Sequence, residues 1–117
     1  MSFRARLDRQ RGPLAAALKP LQKHIELALV YGSMASGRAS AKSDIDVLIV
    51  ADDLTLESVY AALAKTEHQL ARTINPTLYT RAEFKRRRAA KNSFLAKLLS
   101  GKTLPLVGTL AGAPGNG

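Results

Sequence analysis

Apolar positions in this chain follow two rhythms, and each changeover marks an element boundary. Leu14, Leu18 and Leu21 recur at i, i+4 and i+7, one face of a helix, with Pro13 placed as its first residue and Pro20 set to end or kink it. Ile25–Tyr31 (IELALVY) then runs almost without polar interruption, Glu26 apart, and predicts a strand covered on both faces. A second run of this kind opens at Ser43 and continues through Val50. Asp52 and Asp53 mark its exit and read as loop residues capping the helix that follows. That helix is predicted over Leu56–Arg72, with Leu56, Val59, Tyr60, Leu63 and Leu70 as its buried stripe.

Beyond it, Ile74–Tyr79 (INPTLY) predicts a third strand at a sheet edge, because Pro76 has no N–H to give to a ladder. Thr80 and Glu83 have the spacing of a capping box and open a helix that carries Lys85–Arg88. Asn92 restarts or continues the helical region, with Phe94, Leu95, Leu98 and Leu99 buried and Gly101 as its stop. Leu104–Val107 reads as a last short strand or extended piece. This order predicts an α/β fold with one small mixed β-sheet packed with helices.

Composition narrows the class. At 117 residues the chain is most simply one domain, and 46% hydrophobic content places it among globular proteins. No stretch approaches the roughly eighteen apolar residues of a membrane span, and the basic N-terminus leads into no apolar signal core, so a cytoplasmic protein without membrane contact is expected. The absence of cysteine excludes disulfides and thiolate zinc sites, and His24 and His68 stand apart from other ligand types. Any metal site must therefore be built from oxygens.

A net charge of +9 favours anionic partners. Much of it comes from Arg4, Arg6, Arg9 and Arg11 and from Lys85, Arg86, Arg87, Arg88 and Lys91. Each cluster reads as a solvated helix face or as a nucleic-acid surface; the few aromatic residues form no stacking array among them.

The chemistry is concentrated in Leu27–Ala51, LALVYGSMASGRASAKSDIDVLIVA. Asp44 and Asp46 lie two apart at the start of the second strand, so both carboxylates project to one side while Ile45 turns into the core. They face a Gly32-Ser33 turn whose backbone N–H groups are free to meet phosphate, an arrangement suited to a Mg²⁺-nucleotide. The segment lacks the Gly-Lys-Ser/Thr ending of a P-loop and the third glycine of a dinucleotide fingerprint.

Gly32, Ser33, Gly37, Ser43, Asp44 and Asp46, in this order and spacing between apolar strands, resemble the nucleotidyltransferase superfamily related to DNA polymerase beta, specifically its minimal single-domain bacterial branch. The resemblance spans Ile25 to Gly108 and divides the chain into a basic lead-in (1–11), a nucleotidyltransferase-like domain (12–108) and a flexible tail (109–117). It implies transfer of a nucleoside monophosphate from a nucleoside triphosphate, ATP foremost, to a protein or small-molecule acceptor, with Mg²⁺ or Mn²⁺. Asp44 and Asp46 are then metal ligands and catalytic residues, and Gly32 and Ser33 hold phosphate. Ser43 has two readings, phosphate contact or strand cap, and Arg38 or Lys42 is placed to neutralise the leaving pyrophosphate.

Two departures from the pattern bear on catalysis. Active members carry a third carboxylate on the strand that here reads Ile74, Asn75, Pro76, Thr77, Leu78, and the turn reads Ala35, Ser36, Gly37 where many have an arginine before the glycine. Three readings stay open: an enzyme related to the toxin-modifying antitoxins of this branch, with a toxin-type partner; a catalytically impaired nucleotide-sensing or regulatory module, linked to a DNA-binding transcriptional regulator; and a nucleic-acid-binding protein using Lys85, Arg86, Arg87 and Arg88.

Overall fold

The computed structural model describes residues 12–32, 35, 44–90 and 94–108. Its centre is formed by the two apolar runs, β1 (Ile25–Tyr31) and β2 (Ile45–Ala51), paired antiparallel. β3 (Ile74–Tyr79) adds to β2 in parallel, and β4 (Leu104–Val107) adds antiparallel to β1, giving a mixed sheet in the order β3-β2-β1-β4. Each edge strand contains a proline, Pro76 in β3 and Pro105 in β4.

Strand alternation sorts the side chains onto two covered faces, which explains the near-continuous apolar runs. On one face, Ala28, Val30, Ile45, Val47 and Ile49 pack with Leu14 and Leu18 of α1 (residues 12–18) and with Val59 and Leu63 of α2 (Leu56–Leu70). On the other, Leu27, Leu29, Leu48 and Val50 pack with Phe84 of α3 (Arg81–Ala89) and Leu95 and Leu98 of α4 (Phe94–Ser100). The domain is thus a three-layer sandwich. Full burial of a Leu or Ile such as Leu48 or Ile45 contributes about 1.5–3 kcal/mol, so the central strand pair anchors both layers.

Elements begin and end for local reasons. The regular turns of α1 stop at Leu18, and Pro20 lies in the 3-10 helix Lys19–His24 that delivers the chain to β1. The capping box at Thr80 is present: its hydroxyl accepts from Glu83 N at 3.1 Å, and Glu83 Oε1 accepts from Thr80 N at 3.0 Å. α2 has a second box, Thr55 with Ser58, each side chain accepting from the other's backbone N–H. Asp52 therefore does not cap α2. Its Oδ1 accepts from Arg81 N at 2.9 Å, tying the end of β2 to the start of α3, while Arg81 Nε pairs with Glu26 at 3.1 Å.

The apolar stripes differ from expectation in three positions. Leu56 is 43% and Tyr60 52% exposed, because the stripe that meets the sheet is Val59, Leu63 and Thr66 and leaves Tyr60 a residue's rotation away. α2 also ends at Leu70, two residues early, where Ala71 takes a left-handed conformation (φ 53°). Phe94 is 55% exposed: it opens α4, and Leu95 and Leu98 supply the buried face.

Candidate functional site

β2 begins at Ile45, so Asp46 is its second residue and Asp44 lies immediately outside it. Asp46 shares its face with Leu48 and Val50, the face covered by α3 and α4, and alternation carries Asp44 to the same side. In the parallel register, Asn75 of β3 stands opposite Asp46. Its Nδ2 donates to Asp44 Oδ2 at 3.1 Å, with Asp46 Oδ1 at 3.5 Å. Both carboxylates thus converge on a single nitrogen.

That register is fixed by a short turn. α2 ends on Ala71, Ile45 N donates to Thr73 O at 2.9 Å, and Ile74 N donates to Glu67 Oε2 at 2.8 Å. A one-residue slip of β3 would turn Asn75 to the opposite face and bury it against α2.

Across the antiparallel pair, Tyr31 stands opposite Asp46, and Gly32 follows it. Gly32 has φ 77°, and a Cβ there would lie 2.8 Å from Asp46 Oδ2. Glycine is required twice over, for the backbone conformation and for the close approach of the carboxylate. The Tyr31 phenol is pushed up in pKa by burial first and by the negative charge of Asp46, against a hydrogen bond with Thr77 that acts in the opposite sense. It is therefore a neutral phenol at physiological pH. Its ring meets Phe94 edge to face, centroids 5.9 Å apart.

For a divalent ion the described residues offer Asp44, Asp46 and the side-chain amide of Asn75; no group of three or more His, Cys, Asp or Glu is present among them. Two convergent hard oxygen donors, with the amide as a neutral third, fit Mg²⁺ or Mn²⁺ sharing its remaining positions with phosphate and water. Of the residues expected from sequence, Gly32, Asp44 and Asp46 are brought together, whereas Ser33, Gly37, Arg38, Lys42 and Ser43 lie outside the described residues, as do the basic lead-in, Lys91, Asn92 and the tail.

Sequence reasoning missed Tyr31 and the exposure of Phe94. Tyr31 immediately precedes the Gly-Ser turn, and that adjacency was the available signal; its position opposite Asp46 depends on a register that no local pattern states.

The basic run lies on α3, away from this cluster. Arg87 sits over the Tyr79 ring at 5.5 Å and Arg88 over Phe84 at 5.7 Å, so two of its four cations rest on aromatic rings of the domain itself. An apolar groove of about 460 Å³, with Phe84, Lys85 and Arg88 in its wall, adjoins Glu26, at the opposite end of β1 from Tyr31. Among the described residues no helix is long and apolar enough to cross a membrane.

Comparison with known proteins places the fold. A toxin–antitoxin complex with AMP-PNP matches with a TM-score of 0.62 at 20% identity, over 86% of this chain and 74% of that one. The MntA–HepT toxin–antitoxin gives 0.55 at 17% identity, over 87% and 73%. The MNT antitoxin complex of the tri-AMPylated HEPN toxin from Shewanella oneidensis gives 0.52 at 15%, over 88% and 73%. At these identities the likeness is one of fold. No curated protein matches the chain in sequence. The Polbeta family model (Polymerase beta, Nucleotidyltransferase) matches residues 16–104, and the chain belongs to that nucleotidyltransferase family.

Proposed function

We propose that this domain binds a nucleoside triphosphate together with one Mg²⁺ or Mn²⁺ ion held by Asp44 and Asp46, and that Asn75 limits its capacity to transfer the nucleoside monophosphate. The observation that carries the reading is the convergence of both carboxylates on Asn75 Nδ2. Two like charges are drawn to one point that holds the positive end of an amide dipole, which is where a cation is best placed. A half-turn of the amide exchanges Nδ2 for Oδ1 and converts a donor into a neutral metal ligand. A bound ion would neutralise phosphate charge and polarise the phosphoryl group.

The chain's own groups then have distinct tasks. Asp44 and Asp46 supply the negative charge that retains the ion. Gly32 lets the end of β1 pass close to Asp46 and offers backbone to phosphate. The neutral Tyr31 phenol is no general base, and an amide at Asn75 cannot accept a proton from an acceptor hydroxyl. Nucleotide binding with slow turnover follows from this set, which favours a nucleotide-sensing role as the second reading.

An acceptor in a protein partner is supported by the company the fold keeps. Structures of similar fold are toxin–antitoxin complexes, one with AMP-PNP and one with a tri-AMPylated toxin. The proposal is that this chain likewise works beside a toxin-type protein, which serves as acceptor or completes the site with an acid.

Calorimetry with each of the four NTPs, with and without Mg²⁺, tests the binding reading. Metal-dependent heat with at least one NTP is expected; the same isotherm with and without metal overturns it.

A further inference from the structure

We infer that Phe94 is the stacking platform for the nucleobase, so that the site selects nucleotides by ring area and not by base identity; this rests on the nucleotide-binding reading above. Phe94, Leu56 and Tyr60 are the large exposed hydrophobic residues among those described, and of these Phe94 is the one joined to the carboxylate pair. The connection is short. Asp46 stands opposite Tyr31 in the β1–β2 ladder, and the Tyr31 ring meets Phe94 edge to face.

This pair is held firmly at its inner end. Tyr31 is half-buried, hydrogen-bonded to Thr77 and packed with the Leu29 and Leu48 cluster. Phe94 is fixed in the chain by its neighbours Leu95 and Leu98, which are buried under the sheet, yet keeps 55% of its own surface open. An aromatic ring positioned by its surroundings but left uncovered loses little conformational freedom when a second ring lies on it.

Two polar side chains described near the carboxylate pair already have partners. Asn75 is engaged with the two carboxylates and Thr77 with Tyr31. Stacking on a π-face is common to all bases and grows with ring area, so purines are favoured over pyrimidines and the two purines are nearly equal.

The test is calorimetry in Mg²⁺ with ATP, GTP, CTP, UTP and inorganic tripolyphosphate, on the unaltered chain, Phe94→Ala and Phe94→Tyr. Phe94→Ala is expected to weaken ATP and GTP about tenfold and to leave tripolyphosphate unchanged, while Phe94→Tyr stays within about twofold of the original. ATP binding that is indifferent to Phe94→Ala, with tripolyphosphate still bound, overturns this inference alone. So does a parallel loss of tripolyphosphate, which assigns the residue to the fold of the site. A preference for one purine over the other beyond about tenfold overturns the selection by ring area. Failure of the unaltered chain to bind tripolyphosphate or any NTP in a Mg²⁺-dependent way overturns the nucleotide reading itself, and this inference with it.

Discussion

Asn75 Nδ2 lies 3.1 Å from Asp44 Oδ2, so an amide stands on β3 beside the carboxylate pair. The parallel register makes this contact unavoidable, because Asn75 is opposite Asp46 and on its face. On the proposed reading, the outcome of nucleotide binding turns on this neutral amide standing beside the two carboxylates.

Replacing both acids, as Asp44→Asn with Asp46→Asn, should remove the metal-dependent part of NTP binding. Stability should change by no more than about 0.5 kcal/mol, since Asp44 is exposed and like charges are being relieved. Calorimetry and thermal melts of the same samples check both halves; retained metal dependence sinks the ligand assignment.

Asn75→Asp should raise Mg²⁺- or Mn²⁺-dependent pyrophosphate release. Without metal it should cost about 1 kcal/mol at neutral pH, because three carboxylates then repel within hydrogen-bonding range. Protonation relieves such repulsion, so the deficit is present at neutral pH and shrinks in acid. Added Mg²⁺ should also erase it. Melting curves across pH, with and without metal, are the measurement, and a deficit unaffected by either contradicts the geometry. Thr77 is the poorer place for a new acid, being engaged with Tyr31.

Gly32→Ala should destabilise by about 1–2 kcal/mol from the positive φ alone, with a further penalty from the 2.8 Å approach to Asp46 Oδ2. The two parts separate in a double-mutant cycle. In an Asp46→Ala background the collision has no partner, so the alanine should cost only the backbone part. Additive effects in denaturant unfolding would show that the carboxylate is elsewhere in solution.

Glu83 has its carboxyl held below the usual range, first by the hydrogen bond from Thr80 N, then by the Thr80 hydroxyl, with Arg87 and Arg86 acting in the same sense. A depressed folded-state pKa stabilises above the unfolded value, near 4.5, and that stability is lost as pH falls through the folded value. Glu83→Gln should therefore flatten the acid limb of the stability curve below about pH 4.5 and leave its alkaline side parallel. Urea midpoints between pH 3 and 8, chosen to bracket the usual carboxylate range, provide the comparison.

β1 and β3 have the boundaries the apolar runs predict, because strands buried on both faces leave little ambiguity. The Thr80 box was readable from its glutamate, whereas the Thr55 box escaped because serine at its third helical position is a weaker signal. Asp44 and Asp46 could be placed on one side by alternation. Their contact with Asn75 could not, since it depends on a turn through Ala71, and alanine seldom adopts the left-handed conformation found there. Phe94 was miscounted as core for a related reason. Hydrophobicity marks which residues can be buried, and only the packing of Leu95 and Leu98 decides that the first residue of α4 stays outside.

The two edge prolines set a limit on how this domain can meet other chains. Pro76 in β3 and Pro105 in β4 each remove a donor from the rim where a foreign strand would have to zip on. Growth of the sheet by strand addition, whether by a second copy or by an extended peptide, is hindered at both ends. An assembly partner is steered instead toward the helical layers or the loop end beside Asp46, and there its arrival would be felt at the carboxylate pair.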